Sequence, residues 1–239
     1  MKEQVYASGV IRGSVRSARW AVTTERPAAD VGPDDWWLDE ARLANLVGAS
    51  NAAVTGSVHG ARVAVVSQAG IAQGCDAIVT DQVNLALVTL AADCVPVVLA
   101  DPDRGLVAAV HCGWRGLTAG VVSEAVRRMV AHGARSVKAV VGPSICADCY
   151  PVPADRVAEV RQAVGPQIAD QACFDNPARI AVGQGVIAEL QLLAGVGIEG
   201  IDVVPGCTAE DARLFSYRRS GTMKRHAMVI ARAPGSDGT

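Results

Sequence analysis

Three side chains that could share a metal ion lie at the ends of apolar segments: His59, Cys94 and His111. Cys94 precedes an apolar run over 95–100, and His111 ends a second run over 105–111. Turn-forming residues separate the two runs, which predicts an antiparallel hairpin with Cys94 and His111 at the same end. His59 lies at a predicted boundary between a loop and a strand, from which it could join the other two.

Two imidazoles and one thiolate are donors that suit Zn²⁺, and three protein ligands leave a fourth tetrahedral position for water or substrate. The residue types therefore predict a catalytic zinc site. Spacing alone leaves two other interpretations open. Each His could be a hydrogen-bonded residue at a strand end, with Cys94 as a small apolar side chain. Alternatively, Cys94 could be the nucleophile of a cysteine hydrolase, with His111 as its base.

Charged residues near this triad are candidates for handling protons and anions. Asp93, next to Cys94, is a candidate for proton transfer or for support of a metal ligand. Arg115 lies in a glycine-flanked segment, where a guanidinium could clamp phosphate or carboxylate; a surface salt bridge is the alternative. Arg218 and Arg219 follow a predicted strand and are weaker candidates for binding the same anion.

Cys146 and Cys149 form a separate C-x-x-C pair. A structural zinc site would need a second pair of this kind, and the sequence contains none. A redox role would require the pair at the N-terminus of a helix in a thioredoxin-like unit, which the surrounding sequence does not indicate. We therefore interpret both as loop cysteines.

Composition narrows the class of protein. Half of the 239 residues are apolar and 4% are aromatic, which predicts a large core of Val, Ala, Leu and Ile rather than a disordered chain. The net charge is −2 and the 22 basic residues are scattered, so we expect no nucleic-acid partner. The most apolar stretch, 85–100, is interrupted by Asp93 and Pro96, which argues against a membrane span.

Cysteine usage bears on the cellular compartment. The chain has seven cysteines, and its N-terminus lacks the apolar core of a signal peptide. An odd number without an export signal argues against a disulfide framework and favours metal binding or nucleophilic chemistry. We predict a cytoplasmic protein, and the sequence leaves open whether it is a monomer or a homodimer.

Apolar periodicity and turn residues predict the helices and strands that position these side chains. Strands come in clusters rather than in alternation with helices, which favours an α+β layered domain with mixed sheets over a doubly wound parallel fold. We predict one domain over 1–233 and a flexible tail over 234–239. The predicted elements are a hairpin at 4–11 and 18–25, a surface loop at 26–37, helices at 39–47, 117–132, 155–164 and 180–194, and strands at 62–67, 77–80, 85–89, 95–100, 105–111, 136–142, 201–204, 213–217 and 226–232.

Several motifs occur in order between about residues 18 and 232: Val58-His59-Gly60, Asp76-Ala77 with Thr80-Asp81, Ala92-Asp93-Cys94-Val95-Pro96, His111 with Gly113-Trp114-Arg115-Gly116, Gly142-Pro143-Ser144-Ile145, Cys149-Tyr150, Cys207-Thr208 and Ser216-Tyr217-Arg218-Arg219. Together they resemble the YfiH family, also called the laccase-domain or multicopper polyphenol oxidase family. The resemblance implies a layered αββα sandwich of the CNF1/YfiH type. It also implies zinc bound by His59, Cys94 and His111.

The activity that the resemblance implies is purine nucleoside phosphorolysis of adenosine, inosine and methylthioadenosine, with adenosine deamination at the same site. The partners would then be a nucleoside and phosphate. Some bacterial members are described instead as peptidoglycan editing factors, which makes a hydrolase of cell-wall precursors one alternative. A copper-dependent polyphenol oxidase is less favoured, because four His are too few for a multicopper cluster. A non-enzymatic binding module is the remaining alternative.

This sequence departs from the family pattern in four places. Ser57 stands where Gln is usual, Cys75 where Ala is usual, and Pro151 where Glu is usual. The usual Thr-Thr-Arg-Gly-Gly-Val-Ser run is replaced by Thr23-Thr24-Glu25-Arg26-Pro27. That segment should border the substrate pocket, so the departures bear on substrate choice more than on metal binding.

Overall fold

The computed structural model describes residues 5–14, 16–24, 39–194 and 197–233. The surface loop predicted at 26–37 and the tail predicted at 234–239 lie outside these residues. Strands and helices are numbered below in chain order, and most strands belong to two mixed sheets.

The first sheet contains the opening hairpin and is mostly antiparallel. Its strand order is β1 (Val5–Arg12), β2 (Ser17–Thr23), β14 (His226–Arg232), β7 (Leu85–Ala91), β3 (Asn51–Gly56) and β5 (Gly70–Gln73). β3 runs parallel to both of its neighbours, and the remaining pairs are antiparallel. The sheet is therefore mixed, as the clustered strands predicted.

The second sheet contains the predicted hairpin that ends in His111. Its strand order is β13 (Ile198–Val203), β10 (Val137–Val141), β8 (Val95–Asp101), β9 (Leu106–Cys112), β6 (Ala77–Thr80) and β4 (Val63–Val65). The two outermost pairs are parallel and the inner pairs are antiparallel. A separate short hairpin joins β11 (Cys173–Asp175) and β12 (Ala178–Ile180).

Helices cover the outer faces of both sheets. The described helices are α1 (Glu40–Leu46), α2 (Trp114–Thr118), α3 (Val121–Ala131), α4 (Ala154–Val164), α5 (Pro166–Ala172), α6 (Val182–Leu192) and α7 (Tyr217–Ser220). The apolar face of α1 packs on the first sheet, while α3 to α6 share an apolar cluster with the second sheet. The layered αββα class predicted from the sequence is confirmed. No described helix is both long enough and apolar enough to cross a membrane.

The strand β8 explains why the central runs are continuously apolar. All seven of its residues are buried. Val97 and Leu99 face the cluster beneath the helices, whereas Val98 and Ala100 face the other sheet. Because alternate residues point to opposite faces and both faces are covered, the strand contains no polar residue before Asp101, its last position.

Two predicted elements differ from the structure. The helix predicted at 117–132 is two helices, α2 and α3, separated by Gly120 in the left-handed conformation with φ of 70°. The strand predicted at 213–217 is wrong. Leu214 and Phe215 are buried without joining a sheet, and Ser216 caps α7 by accepting a hydrogen bond from the Arg219 N–H. Their apolar character reflects burial rather than strand pairing.

Candidate functional site

The structure brings the three predicted metal ligands together. The ligand atoms of His59, Cys94 and His111 all lie within 4.8 Å of one another. Cys94 occupies the bend between β7 and β8, and His111 lies opposite Pro96 in the β8–β9 ladder. His59 lies in the connection between β3 and β4. Two of the three ligands therefore come from segments that cross from the first sheet to the second.

Asp76 organises two of these ligands through four hydrogen bonds. Its carboxylate accepts from the backbone N–H groups of Val58, His59 and Gly60 at 3.1, 2.9 and 2.8 Å. It also bonds Nδ1 of His111 at 3.0 Å. Because an ionised carboxylate only accepts, Nδ1 carries the proton, and Nε2 is the atom left to bind a metal.

His59 adopts a left-handed backbone conformation, with φ of 63°, that is uncommon for a residue other than glycine. Such a conformation costs about 1–3 kcal/mol and persists only where its surroundings enforce it. Here the three N–H bonds to Asp76 supply that constraint. The strained turn directs the imidazole toward His111, and the two ring centroids lie 4.9 Å apart at an interplanar angle of 82°.

Gly113 is required by the close approach of its backbone to two ligands. A Cβ atom at this position would lie 3.0 Å from Cys94 Sγ and 3.0 Å from His59 Cδ2. Any larger residue would therefore push the ligands apart. The sequence motif after His111 thus has a steric role in the triad.

Electrostatics favour the ionised thiol at Cys94. Burial raises the pKa of this thiol, but hydrogen bonds with His111 and His59 outweigh burial and lower it to about 6. Burial lowers the pKa of His111, whereas its bonds with Asp76 and Cys94 raise it to about 9. Burial likewise raises the pKa of Asp76, and bonds from His111, Gly60 and Val58 bring it below its usual value. Cys94 is therefore a thiolate at neutral pH.

The triad has the donors and the spacing of a metal site. Zinc–ligand bonds of about 2.0–2.3 Å separate ligand atoms in a tetrahedron by about 3.3–3.8 Å. The three ligand atoms lie within 4.8 Å of one another, so small movements of the side chains would bring them to these separations around an ion. When a metal binds, the proton on His111 Nε2 must leave, while the thiolate is already in its binding form.

The triad opens into a cavity of about 910 Å³, a size typical of small-molecule sites. Arg115 and Arg218 line this cavity, as does Ser57, which replaces the Gln usual in the family. The complete lining is Thr55, Ser57, His59, Leu90, Ala92, Asp93, Cys94, His111, Gly113, Trp114, Arg115, Ile145, Tyr150, Val182, Tyr217, Arg218, Met223 and Arg225.

Of the three arginines that are candidates for anion binding, two line the cavity and one does not. The Arg115 guanidinium lies 4.5 Å from the centre of the Trp114 ring, and the Arg218 guanidinium lies 4.9 Å from that of Tyr150. Both line the cavity. Arg219 does not line it; its guanidinium donates to the backbone oxygens of three residues: Thr208, Asp211 and Leu214. The structure therefore brings Arg115 and Arg218, but not Arg219, to the triad.

Asp93 connects the triad to the segment that carries Arg218. Its two carboxylate oxygens accept from Thr208 Oγ1 at 2.6 Å and from the Arg218 N–H at 2.7 Å. Its backbone oxygen accepts from the Ile145 N–H at 3.0 Å. These bonds hold Asp93 with a φ of 89° immediately before Cys94.

Sequence reasoning assigned no role to Asp76, Thr208 or Tyr150. The signal for Asp76 was its position directly before the apolar strand β6, which suggests burial. A buried carboxylate needs hydrogen-bonding partners, so this position indicated a specific role. Thr208 and Tyr150 stood out only as members of the family motifs, because the partners that they contact lie far away along the chain. Thr208 bonds Asp93 across 115 residues.

Replacing Asp76 with Asn is expected to weaken metal binding by about 10- to 100-fold. The amide offers one acceptor instead of two and turns an N–H group toward the donors of residues 58–60 and His111. Metal affinity can be measured by competition with a chromogenic chelator, with circular dichroism as a check of folding. Asp81→Asn makes the same charge change at an exposed position and should leave affinity unchanged. Unaltered affinity in folded Asp76→Asn protein would contradict the supporting role.

Comparisons with known proteins agree with this site. The chain is 44% identical over 179 residues to the purine nucleoside phosphorylase ORF3 of Streptomyces griseus, covering 72% of this chain and 71% of that protein. It is 33% identical over 182 residues to the adenosine deaminase RL5 of an unknown prokaryotic organism, covering 68% of each. These relatives support an enzyme rather than a non-enzymatic binding module.

A solved structure, YlmD from Geobacillus stearothermophilus, is also similar. It has a TM-score of 0.75 at 25% identity and covers 95% of this chain and 100% of its own. Residues 37–233 match the family described as multi-copper polyphenol oxidoreductase laccase. The chain therefore belongs to this laccase-like family, the YfiH family that its ordered motifs resemble.

Proposed function

We propose that the protein is a zinc-dependent purine nucleoside phosphorylase that acts on adenosine, inosine and methylthioadenosine and also deaminates adenosine in the same cavity. One observation carries the proposal: the metal-ligand triad, Arg115 and Arg218 open into a single space large enough for a nucleoside. The names of the relatives agree with both reactions.

In phosphorolysis, a phosphate oxygen attacks the anomeric carbon of the ribose while the bond to the purine nitrogen breaks. Arg115 and Arg218 are suited to hold the phosphate, because a guanidinium grips its oxygens through charge-assisted parallel bonds. Their stacking on Trp114 and Tyr150 limits the conformations that each side chain can adopt before phosphate arrives. Less conformational freedom is then lost on binding.

The apolar part of the lining suits the purine and the ribose. Ile145 and Val182 contribute apolar surface, and Tyr217, which is 58% exposed, also lines the cavity. An exposed aromatic ring is a natural stacking partner for a base. We assign Asp93 a positioning role, because both of its carboxylate oxygens already hold Thr208 and Arg218.

Zinc held by His59, Cys94 and His111 would supply a Lewis acid and would lower the pKa of a bound water toward about 7, as deamination requires. The donor set favours zinc over a multicopper cluster. The other two His of the chain, His132 and His226, belong to neither of the potential metal-binding groups among the described residues.

A second candidate function is hydrolysis of a peptidoglycan precursor, with Cys94 as nucleophile. The observation that favours it is the lowered pKa of Cys94 beside His111, a pairing that also activates catalytic cysteines. Zinc retention separates the two candidates, because a metal-bound thiolate is a poor free nucleophile. Alkylation of Cys94 by iodoacetamide should therefore be slow in the zinc-loaded protein and fast after chelation.

The test is a turnover assay joined to metal analysis of the purified protein. We expect inosine to release hypoxanthine only when phosphate is supplied, and adenosine to release ammonia without phosphate. Both activities should fall on chelation and return with added zinc. If the zinc-loaded protein turned over no nucleoside, the phosphorylase proposal would fail and cell-wall precursor hydrolysis would become the leading candidate.

A further inference from the structure

A second group of potential metal ligands lies outside the triad. It consists of Cys146, Cys149, Cys207 and Glu210, whose ligand atoms all lie within 4.8 Å of one another. We propose that these four side chains bind a second zinc ion in a closed, structural site. The proposal does not depend on the reaction that the protein catalyses.

The hydrogen bonds within the group show how closely the ligands converge. Oε1 of Glu210 lies 3.4 Å from Cys149 Sγ and 3.8 Å from Cys146 Sγ. The backbone N–H of Cys146 donates to Cys207 Sγ at 3.3 Å. Separations of about 3.3–3.8 Å are those of a tetrahedral zinc site, so little movement would be needed to admit the ion.

The local chain geometry is that of two ligand-bearing turns side by side. Cys146 and Cys149 are spaced as C-x-x-C, and Cys207 and Glu210 have the same spacing. Ser144 and Cys207 form a parallel bridge between the two segments, and the Glu210 N–H donates to the Cys207 backbone oxygen. The second pair that a structural zinc requires is thus present, with Glu210 in the place of a fourth Cys.

The chemistry of the donors selects the ion and its role. Three sulfur atoms and one carboxylate oxygen repel one another when ionised, and a divalent cation among them removes that repulsion. Thiolates suit zinc, and the carboxylate favours zinc over Cu(I), which prefers sulfur alone. Four protein ligands leave no position for substrate, which is the mark of a structural site.

The position of this group suggests what the ion would stabilise. Cys146 follows Ile145 and Cys149 precedes Tyr150, and both of those neighbours line the cavity. Cys207 precedes Thr208, which donates to Asp93 beside the triad. A metal here would tie the loop over 142–150 to the loop over 205–211 and thereby hold one wall of the cavity.

Metal analysis of the parent protein and four variants tests the proposal. Zinc-loaded parent protein should hold about two zinc ions per chain, and Cys94→Ala should hold about one. Cys207→Ala should also hold about one, and the double variant Cys94→Ala, Cys207→Ala should hold almost none. Cys173→Ala, a buried cysteine outside both groups, should keep both ions and serves as the matched control.

Cobalt(II) substitution counts the thiolates directly and needs no variant of the second group. Each bound thiolate contributes to the charge-transfer absorption, so parent and Cys94→Ala proteins should have intensities in the ratio of about four to three. A fall to almost nothing in Cys94→Ala would overturn the proposal. Unchanged zinc content in folded Cys207→Ala protein, or a disulfide within the group that excludes the second ion, would also overturn it.

Discussion

Cys94→Ala is expected to lose about one zinc ion per chain and to reduce both phosphorolysis and deamination by about a thousandfold or more. Cys94 supplies the only thiolate of the triad, and its pKa of about 6 makes it the ligand that is already ionised at neutral pH. Without it, two imidazoles remain, and His111 keeps its proton unless a metal displaces it. Both reactions should fall because the proposed zinc serves both.

The measurements are zinc content by mass spectrometry and initial rates with inosine plus phosphate and with adenosine. Cys112→Ala is the matched control. Cys112 lies two residues before Trp114 and next to His111, but its side chain packs in the apolar cluster beneath the helices. It should keep the metal and both activities. Full zinc content in Cys94→Ala protein would exclude Cys94 from the metal site.

Arg115→Lys is expected to lower kcat/KM for phosphate by about 10- to 100-fold and to change deamination by less than about threefold. The lysine ammonium keeps the charge but cannot form two parallel bonds to phosphate. It also loses the planar stacking on Trp114 that orients the guanidinium. Deamination consumes water instead of phosphate, so the difference between the two activities is the discriminating result.

Arg156→Lys provides a closely matched control for this comparison. The Arg156 guanidinium lies 4.1 Å from the centre of the same Trp114 ring, yet Arg156 does not line the cavity. It should leave both activities near the parent values. If Arg115→Lys lowered both activities together with zinc intact, Arg115 would be a general substrate or structural residue, and the phosphate assignment would be wrong.

The sequence by itself determined the parts of the site that depend on neighbouring segments. The apolar runs on either side of the turn at 101–105 predicted the β8–β9 hairpin, and with it the position of Cys94 and His111 at one end. That inference worked because hairpin pairing is local and a period of two residues fixes which side chains share a face. The ordered motifs added the family and the layered fold.

Only the tertiary structure decided which distant segments meet. Periodicity shows that a strand is buried but does not identify its partner, so the parallel pairs that position His59 and the four bonds to Asp76 could not be derived. The same limit explains the misread strand at 213–217, whose apolar residues are buried without a ladder.

The second cysteine group shows this limit most clearly. In the sequence, Cys146-x-x-Cys149 has no matching pair, and we interpreted it as loop cysteines. The parallel bridge between Ser144 and Cys207 brings a cysteine and a carboxylate from about sixty residues away to the same point. The sequence identifies the type of each side chain. Its neighbours across a sheet or between loops depend on long-range packing, which a local sequence pattern does not predict.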